Sequence, residues 1–246
     1  MKIIISPSKI MKEDSDFYEA KQLPCFIEKS KVLLDVLKTM NIEELSKGLG
    51  CNSKLAASCF DYYQSMNLEK GSIPALFAFD GMAYKHMAPR VFTLEELDYV
   101  ESHLRILSGF YGLLRCDDAI SLYRLDLNDK VLIHGKNLYS FWSDSIATEL
   151  FKNETCVINL ASDEYGKCIL PYKGNVRVIT CVFARRVNGK LKTLPTDAKM
   201  LRGEMVRYMA EHRIEDVELI KQFANRGFVY SIEDSSMDEW YFVNEG

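Results

Sequence analysis

Residues 103–126, HLRILSGFYGLLRCDDAISLYRLD, constrain the fold more than any other stretch of this chain. An apolar run, Leu104 to Leu107, opens into Ser108-Gly109 and then Tyr111-Gly112. A short apolar run ended by glycine turns reads as a buried strand, the kind found in sheets covered by helices. Beyond it come Arg115 and the pair Tyr123-Arg124. Structural turns rarely use two glycines, two tyrosines and forward arginines together. The expectation is a cleft that holds an anion or a flat ring, with Tyr111, Arg115, Tyr123 and Arg124 in its wall.

Other runs repeat this pattern of a strand followed by polar groups. Residues 1–5 lead into Ser6-Pro7-Ser8-Lys9, which reads either as a plain Ser-Pro turn or as a strand-end site where Ser6, Ser8 and Lys9 meet a ligand. Residues 155–160 predict a central strand ending at Asn159, with Ser162 and Tyr165 at the start of the next helix. Polar side chains and unsatisfied helix N–H donors coincide there. A strand over 176–183 is followed by the hairpin signature Asn188-Gly189 and a return over 191–194. Residues 228–232 and 240–243 predict a closing pair, and 131–134 a further short strand.

Helical periodicity covers 27–40, 138–151 and 196–212, with shorter helices over 93–102 and 217–224. Thr196 is a candidate cap for the long helix, on which Lys199 and Arg202 share a face at i and i+3. Residues 12–20 predict a polar loop, and 71–85 a buried aromatic turn region in which Tyr84 packs inward. Asn41 with Glu44 forms a capping box, Gly48-Leu49-Gly50 stops that helix, and Asn52 or Ser53 caps the next. Two helices joined by Gly-X-Gly have the form of a helix-hairpin-helix at about 41–66, in which Gly48, Gly50, Ser53 and Lys54 face a phosphate. On the pattern alone, an ordinary helical hairpin with a glycine cap is the preferred reading of the same residues. The fold class is α/β (mixed α+β). One compact domain, 1–246, holds a mixed central sheet, surrounding helices and the hairpin insertion.

The formal charge of −4 argues against a uniform coat of nucleic acid or anionic lipid. Charge is segregated, however: residues 185–213 hold eight Lys/Arg against three Asp/Glu, and 232–246 hold five acids and no base. Such segregation predicts a positive groove on an acidic protein. Seven cysteines without a CxxC pair fit a reducing cytoplasm. The four histidines have no metal-ligand spacing, so neither metal nor cofactor is expected. No apolar run approaches the roughly 20 residues that span a bilayer. Phosphate-loop, dinucleotide, nucleophile-elbow and HExxH motifs are missing. The adjacent carboxylates Asp117-Asp118 and Asp163-Glu164 are expected to be solvated.

The segments Ile5 to Lys9, Phe79-Asp80-Gly81, Leu104 to Arg115, Tyr123-Arg124-Leu125, Leu138-Tyr139 with Phe141-Trp142, Asn159 to Ser162 with Glu164-Tyr165, and Ala198-Lys199 with Arg202-Gly203 resemble the YaaA family, also called DUF328 or UPF0246. The resemblance covers essentially the whole chain. It implies a cytoplasmic bacterial protein tied to peroxide resistance and to limitation of free intracellular iron. It also implies DNA binding through a helix-hairpin-helix and a positive cleft. The chain departs from the family pattern in Cys116-Asp117 after Arg115, in Met200-Leu201 before Arg202, and in lacking a final arginine. Each change removes charge or shape from the cleft rather than from the core.

The leading functional expectation is therefore a DNA-binding stress protein whose partner is duplex or branched DNA. The alternative is an enzyme acting on a nucleotide or another small phosphorylated substrate in the same cleft. A third reading, redox sensing, requires Cys51, Cys59 or Cys116 to be exposed beside cations.

Overall fold

A computed structural model describes residues 1–13, 18–71 and 73–246. The predicted loop over 12–20 falls partly outside them. The strands are β1 (Lys2–Ile5), β2 (Ile73–Pro74), β3 (Leu104–Ser108), β4 (Gly112–Leu114), β5 (Ala119–Ile120), β6 (Cys156–Leu160), β7 (Arg177–Val187), β8 (Lys190–Lys192), β9 (Ala224–Asn225), β10 (Phe228–Ser231) and β11 (Glu239–Asn244). The α-helices are α1 (Ile27–Thr39), α2 (Ile42–Gly48), α3 (Ser53–Ser65), α4 (Ala75–Ala78), α5 (Met82–Met87), α6 (Leu94–His103), α7 (Leu138–Trp142), α8 (Ser145–Phe151), α9 (Asp163–Ile169) and α10 (Pro195–Glu211).

Nine strands form one mixed sheet in the order β4-β3-β1-β6-β7-β11-β10-β9, with β8 folded back on β7. The five strands from β3 to β11 in that order run parallel. Ile3, Ile4 and Ile5 of β1 are at most 1% exposed, so both faces of the central strand are covered. This explains the unbroken β-branched run at the N-terminus. The chain leaves β1 toward β3 on one side and later enters β6 on the other. A crevice forms beyond the strand ends where succession reverses in this way, and ligands of open α/β sheets bind in such crevices.

The closing pair appears as antiparallel β10 and β11, and Asn188 and Gly189 make the turn between β7 and β8. Capping follows the sequence at Asn41/Glu44, where both halves of the box are formed, and Thr93 with Glu96 closes a second box at the start of α6. Other boundaries differ. The helix expected over 138–151 breaks into α7 and α8 at Ser143, whose φ is 48°. Residues 217–222 form a 3₁₀ turn, and 131–134 contribute one isolated bridge, Ile133 to Lys136, instead of a strand. Within residues 73–85 lie the short helix α4 and the start of α5. Thr196 lies within α10, whose cap position is Leu194. Among the described residues no helix is long and apolar enough to cross a membrane.

Residues 104–123 mainly build the core, and Asp126 at the end of the run lines the cleft described below. Tyr111 and Tyr123 are buried with Phe110, their rings 5.3 Å apart and edge to face. The Tyr123 hydroxyl meets Ser108 Oγ at 2.7 Å, and the Tyr111 oxygen accepts the Ser121 N–H at 3.1 Å. The glycines serve close packing. A Cβ on Gly109 would stand 2.4 Å from the Leu125 carbonyl oxygen, and one on Gly112 would stand 2.7 Å from the Trp142 ring. Asp117 and Asp118 are buried, contrary to expectation, because they close the turn after β4. Asp117 accepts from Gln22 Nε2 at 2.9 Å, and Asp118 accepts the Arg115 N–H at 2.8 Å.

Helices α2 and α3 form a helical hairpin. Gly50 takes a left-handed φ of 56° that suits glycine. Gly48 is buried instead: its carbonyl accepts the Lys130 N–H at 2.7 Å, and a Cβ there would press on Val131 at 3.0 Å. Asn52 caps α3 by accepting the Leu55 N–H at 2.9 Å, leaving Ser53 and Lys54 in the first turn.

Candidate functional site

The crevice beyond β1 and β6 is a cleft of about 580 Å³. Ser6 to Ile10 form one wall, Asp80 to His86 a second, and Ser162, Glu164 and Tyr165 a third, with Lys199 and Arg202 of α10 above. Ser6 ties the two strand ends together. Its Oγ accepts the Ser162 N–H at 2.8 Å and donates to Ser162 Oγ at 3.2 Å. The Tyr84 hydroxyl donates to the Ser6 carbonyl at 3.0 Å from below. A Cβ on Gly81 would collide with Ser8 Oγ at 2.2 Å, so the glycine lets the 6–9 turn lie against α5.

The lining carries Lys9, Lys85, Lys199 and Arg202 against Asp80, Asp126 and Glu164. The acids are engaged. Asp126 holds Lys9 Nζ at 2.7 Å and accepts the Tyr165 hydroxyl at 3.0 Å. Asp80 meets Lys12 at 3.0 Å and Lys85 at 3.7 Å, and Glu164 accepts the Asn128 N–H at 3.0 Å. The hydrogen bond to Asp126 raises the Lys9 pKa, so Lys9 is held as an ammonium donor rather than a base. Burial raises nearby Asp129 to about 6.

Lys199 and Arg202 differ from the other cations. Among the described residues neither has a carboxylate within ion-pair distance, and Arg202 Nε is buried without a hydrogen-bond partner. Burial lowers the Arg202 pKa, partly offset by Asp163, yet a guanidinium stays charged at neutral pH. A guanidinium with a buried N–H short of an acceptor can be completed by an anion. Elsewhere the segregated charges neutralise one another: Arg186 pairs with Asp234 at 2.6 Å and Glu245 at 3.0 Å, and Arg185 with Asp197 at 2.6 Å. Arg185 and Arg186 of the basic segment are thus taken up by internal carboxylates.

Of the residues singled out from sequence, Ser6, Lys9, Ser162, Tyr165, Lys199 and Arg202 converge on the cleft. Tyr111, Arg115, Tyr123, Arg124 and Asn159 are not in its lining. Asn159 is buried beneath it, donating to Thr180 Oγ1 at 3.1 Å and accepting the Ala161 N–H at 3.0 Å. Arg115 hydrogen-bonds Gln22, and the Arg124 carbonyl accepts from Tyr63. Neither α2 nor α3 contributes to the lining, so Gly48, Gly50, Ser53 and Lys54 lie on a separate feature. Sequence reasoning missed Asp126, Asp80 and His86. Asp126 closes the same run as Tyr123-Arg124, and Asp80 stands between Phe79 and Gly81, but His86 has no local signal at all.

Residues 1–234 match the family model described as peroxide stress protein YaaA. The chain belongs to the YaaA peroxide stress family. Its YaaA relatives carry the name UPF0246 protein. One from Limosilactobacillus reuteri is 46% identical, covering 97% of both chains. One from Desulfitobacterium hafniense is 43% identical over 99% of this chain and 98% of its own. One from Lactiplantibacillus plantarum is 40% identical over 99% of each. Of the three cysteines named for redox sensing, Cys59 and Cys116 are buried, which raises both thiols, Cys59 to about 11, while Cys51 is half-buried.

Proposed function

We propose that this chain serves the peroxide stress response by binding DNA, with backbone phosphates met by Lys199 and Arg202 at the cleft and by Lys54 at the hairpin. The observation that carries the reading is Arg202, half-buried at a strand-end crevice, whose Nε is buried without a hydrogen-bond partner and which has no carboxylate within ion-pair distance among the described residues. A planar fork of N–H donors suits a phosphate oxygen pair. The N–H groups of Ser53 and Lys54, in the first turn of α3, have no intrahelical acceptor and can meet a second phosphate. The link to free intracellular iron rests on the family resemblance alone.

Fluorescence anisotropy with duplex and branched DNA, from about 50 to 200 mM salt, tests this reading because counterion release makes phosphate binding fall steeply over that range. Salt-sensitive binding that weakens in Arg202→Ala and Lys54→Glu supports it. Absence of salt-sensitive binding, or variants that bind as the wild type does, refutes it.

The cleft volume favours a second reading. About 580 Å³ lies within the usual range for small-ligand sites, and the location is the usual one for α/β enzymes. An enzyme acting on a nucleotide or another small phosphorylated substrate would use this same crevice.

A further inference from the structure

His86 enters the cleft from α5 and is held from behind by α10. Its Nδ1 lies 2.8 Å from Glu204 Oε1, and the same oxygen accepts Arg226 Nε at 2.8 Å. Glu204 is about nine-tenths buried between His86 and Arg226. An ionised carboxylate only accepts, so Nδ1 carries a hydrogen and the ring orientation is fixed. Nε2 has no partner among the described residues and is the ring atom left for the cleft. A buried carboxylate that orients an imidazole in this way also sets up metal-bound and catalytic histidines.

We propose that the cleft takes one nucleotide with a terminal phosphate, the phosphate lying among Lys199, Arg202 and His86 Nε2. This inference rests on the cleft being the anion site. Two unpaired cations on one face of α10 suit the dianion of a phosphomonoester better than a singly charged diester. Ser6 and Ser8 add hydroxyls, and Ile10 and Met82 offer exposed apolar surface to sugar and base. A cavity of this volume admits a mononucleotide, whereas a duplex can only lie across its mouth. Glu204 is a positioning residue in this scheme.

Isothermal titration of the full chain with deoxyadenosine 5′-monophosphate, deoxyadenosine and inorganic phosphate tests the inference, alongside the same duplex DNA. The monophosphate is expected to bind at least about tenfold more tightly than the nucleoside, a difference of about 1.4 kcal/mol. His86→Asn keeps an amide N–H for Glu204 but removes Nε2, and Arg202→Lys keeps the charge but loses the fork. Each is expected to weaken the monophosphate about tenfold while the thermal midpoint stays near that of the wild type. The His86 ring proton resonances are expected to shift on adding monophosphate, and in Glu204→Gln to shift with a different pH profile. Equal binding of nucleoside and monophosphate, or unchanged affinity in both variants, overturns the inference. Duplex binding without monophosphate binding also overturns it and leaves the DNA reading standing. Monophosphate binding without duplex binding supports it and removes the DNA reading.

Discussion

Gly203 of α10 lies directly against Ala83 of α5, so close that a Cβ would stand 1.9 Å from the Ala83 carbonyl oxygen and 2.9 Å from the Met87 nitrogen. Backbone meets backbone at this crossing. The neighbours of Gly203 in sequence, Arg202 and Glu204, are thereby brought to the cleft and to His86 respectively. Helix propensity alone would make Gly203→Ala stabilising by up to about 1 kcal/mol. The collision is with rigid backbone and decides the sign the other way. The expected loss is about 1–3 kcal/mol, read as a lower denaturant midpoint. A midpoint equal to or above the wild type's would show that the crossing is not in backbone contact.

Ser6→Ala tests the tie between the two strand ends. It removes the acceptor of the Ser162 N–H without changing backbone geometry. An unsatisfied amide in a partly buried turn costs about 1–3 kcal/mol. Hydrogen exchange at Ser162 is expected to accelerate. Unchanged stability and exchange would mean that solvent replaces the hydroxyl freely.

Asp126→Asn separates the electrostatics of the cleft from its shape. The amide oxygen still accepts from Tyr165, while the exposed Lys9 loses its buried partner. The expected stability loss is about 1 kcal/mol or less. DNA binding is expected to tighten a few-fold, because one negative charge has left the lining and Lys9 is freed. Weaker binding at equal stability would place Asp126 on the ligand instead.

Asp118 gives stability a pH dependence of defined sign. Burial raises its pKa to about 7, despite the opposing Arg115 N–H and guanidinium and the Arg105 charge, while Asp117 adds to the rise. The unfolded value is near the ordinary aspartate pKa of about 3.9. Between those values the folded chain holds a proton that the unfolded chain has released. Stability from this group therefore falls as pH rises through that window. Asp118→Asn removes the dependence, so the stability of the variant relative to wild type should improve by a few kcal/mol from pH about 4 to about 8. Chemical denaturation across that range measures the difference. A difference independent of pH would show that Asp118 is not buried in its charged form.

The sheet was legible because its information is local. The run Ile3-Ile4-Ile5 reports burial on two faces, and the Asn41/Glu44 and Thr93/Glu96 pairs are complete signals within four residues. Half of the site was legible for the same reason, since Ser6, Lys9, Ser162 and Tyr165 follow strand ends. The direction of polar side chains was not. Tyr111, Tyr123 and Asn159 have the composition of a binding wall, but each finds its hydrogen-bond partner inside the fold. Gly109 and Gly112 were read as site glycines when their role is to admit Leu125 and Trp142. His86 and Glu204 are 118 positions apart, and only the crossing at Gly203 joins them. The pairing of Arg186 with the acidic tail joins positions far apart in the chain and has no local signal either.

The central claim is that phosphate is received at the ends of β1 and β6, beneath Arg202. Backbone amide chemical-shift mapping with a short 5′-phosphorylated oligonucleotide tests this most directly. The account predicts that the largest shifts fall on Ser6, Lys9, Ser162, Lys199 and Arg202. Shifts confined to residues 48–54, or spread over surfaces away from the cleft, would contradict it.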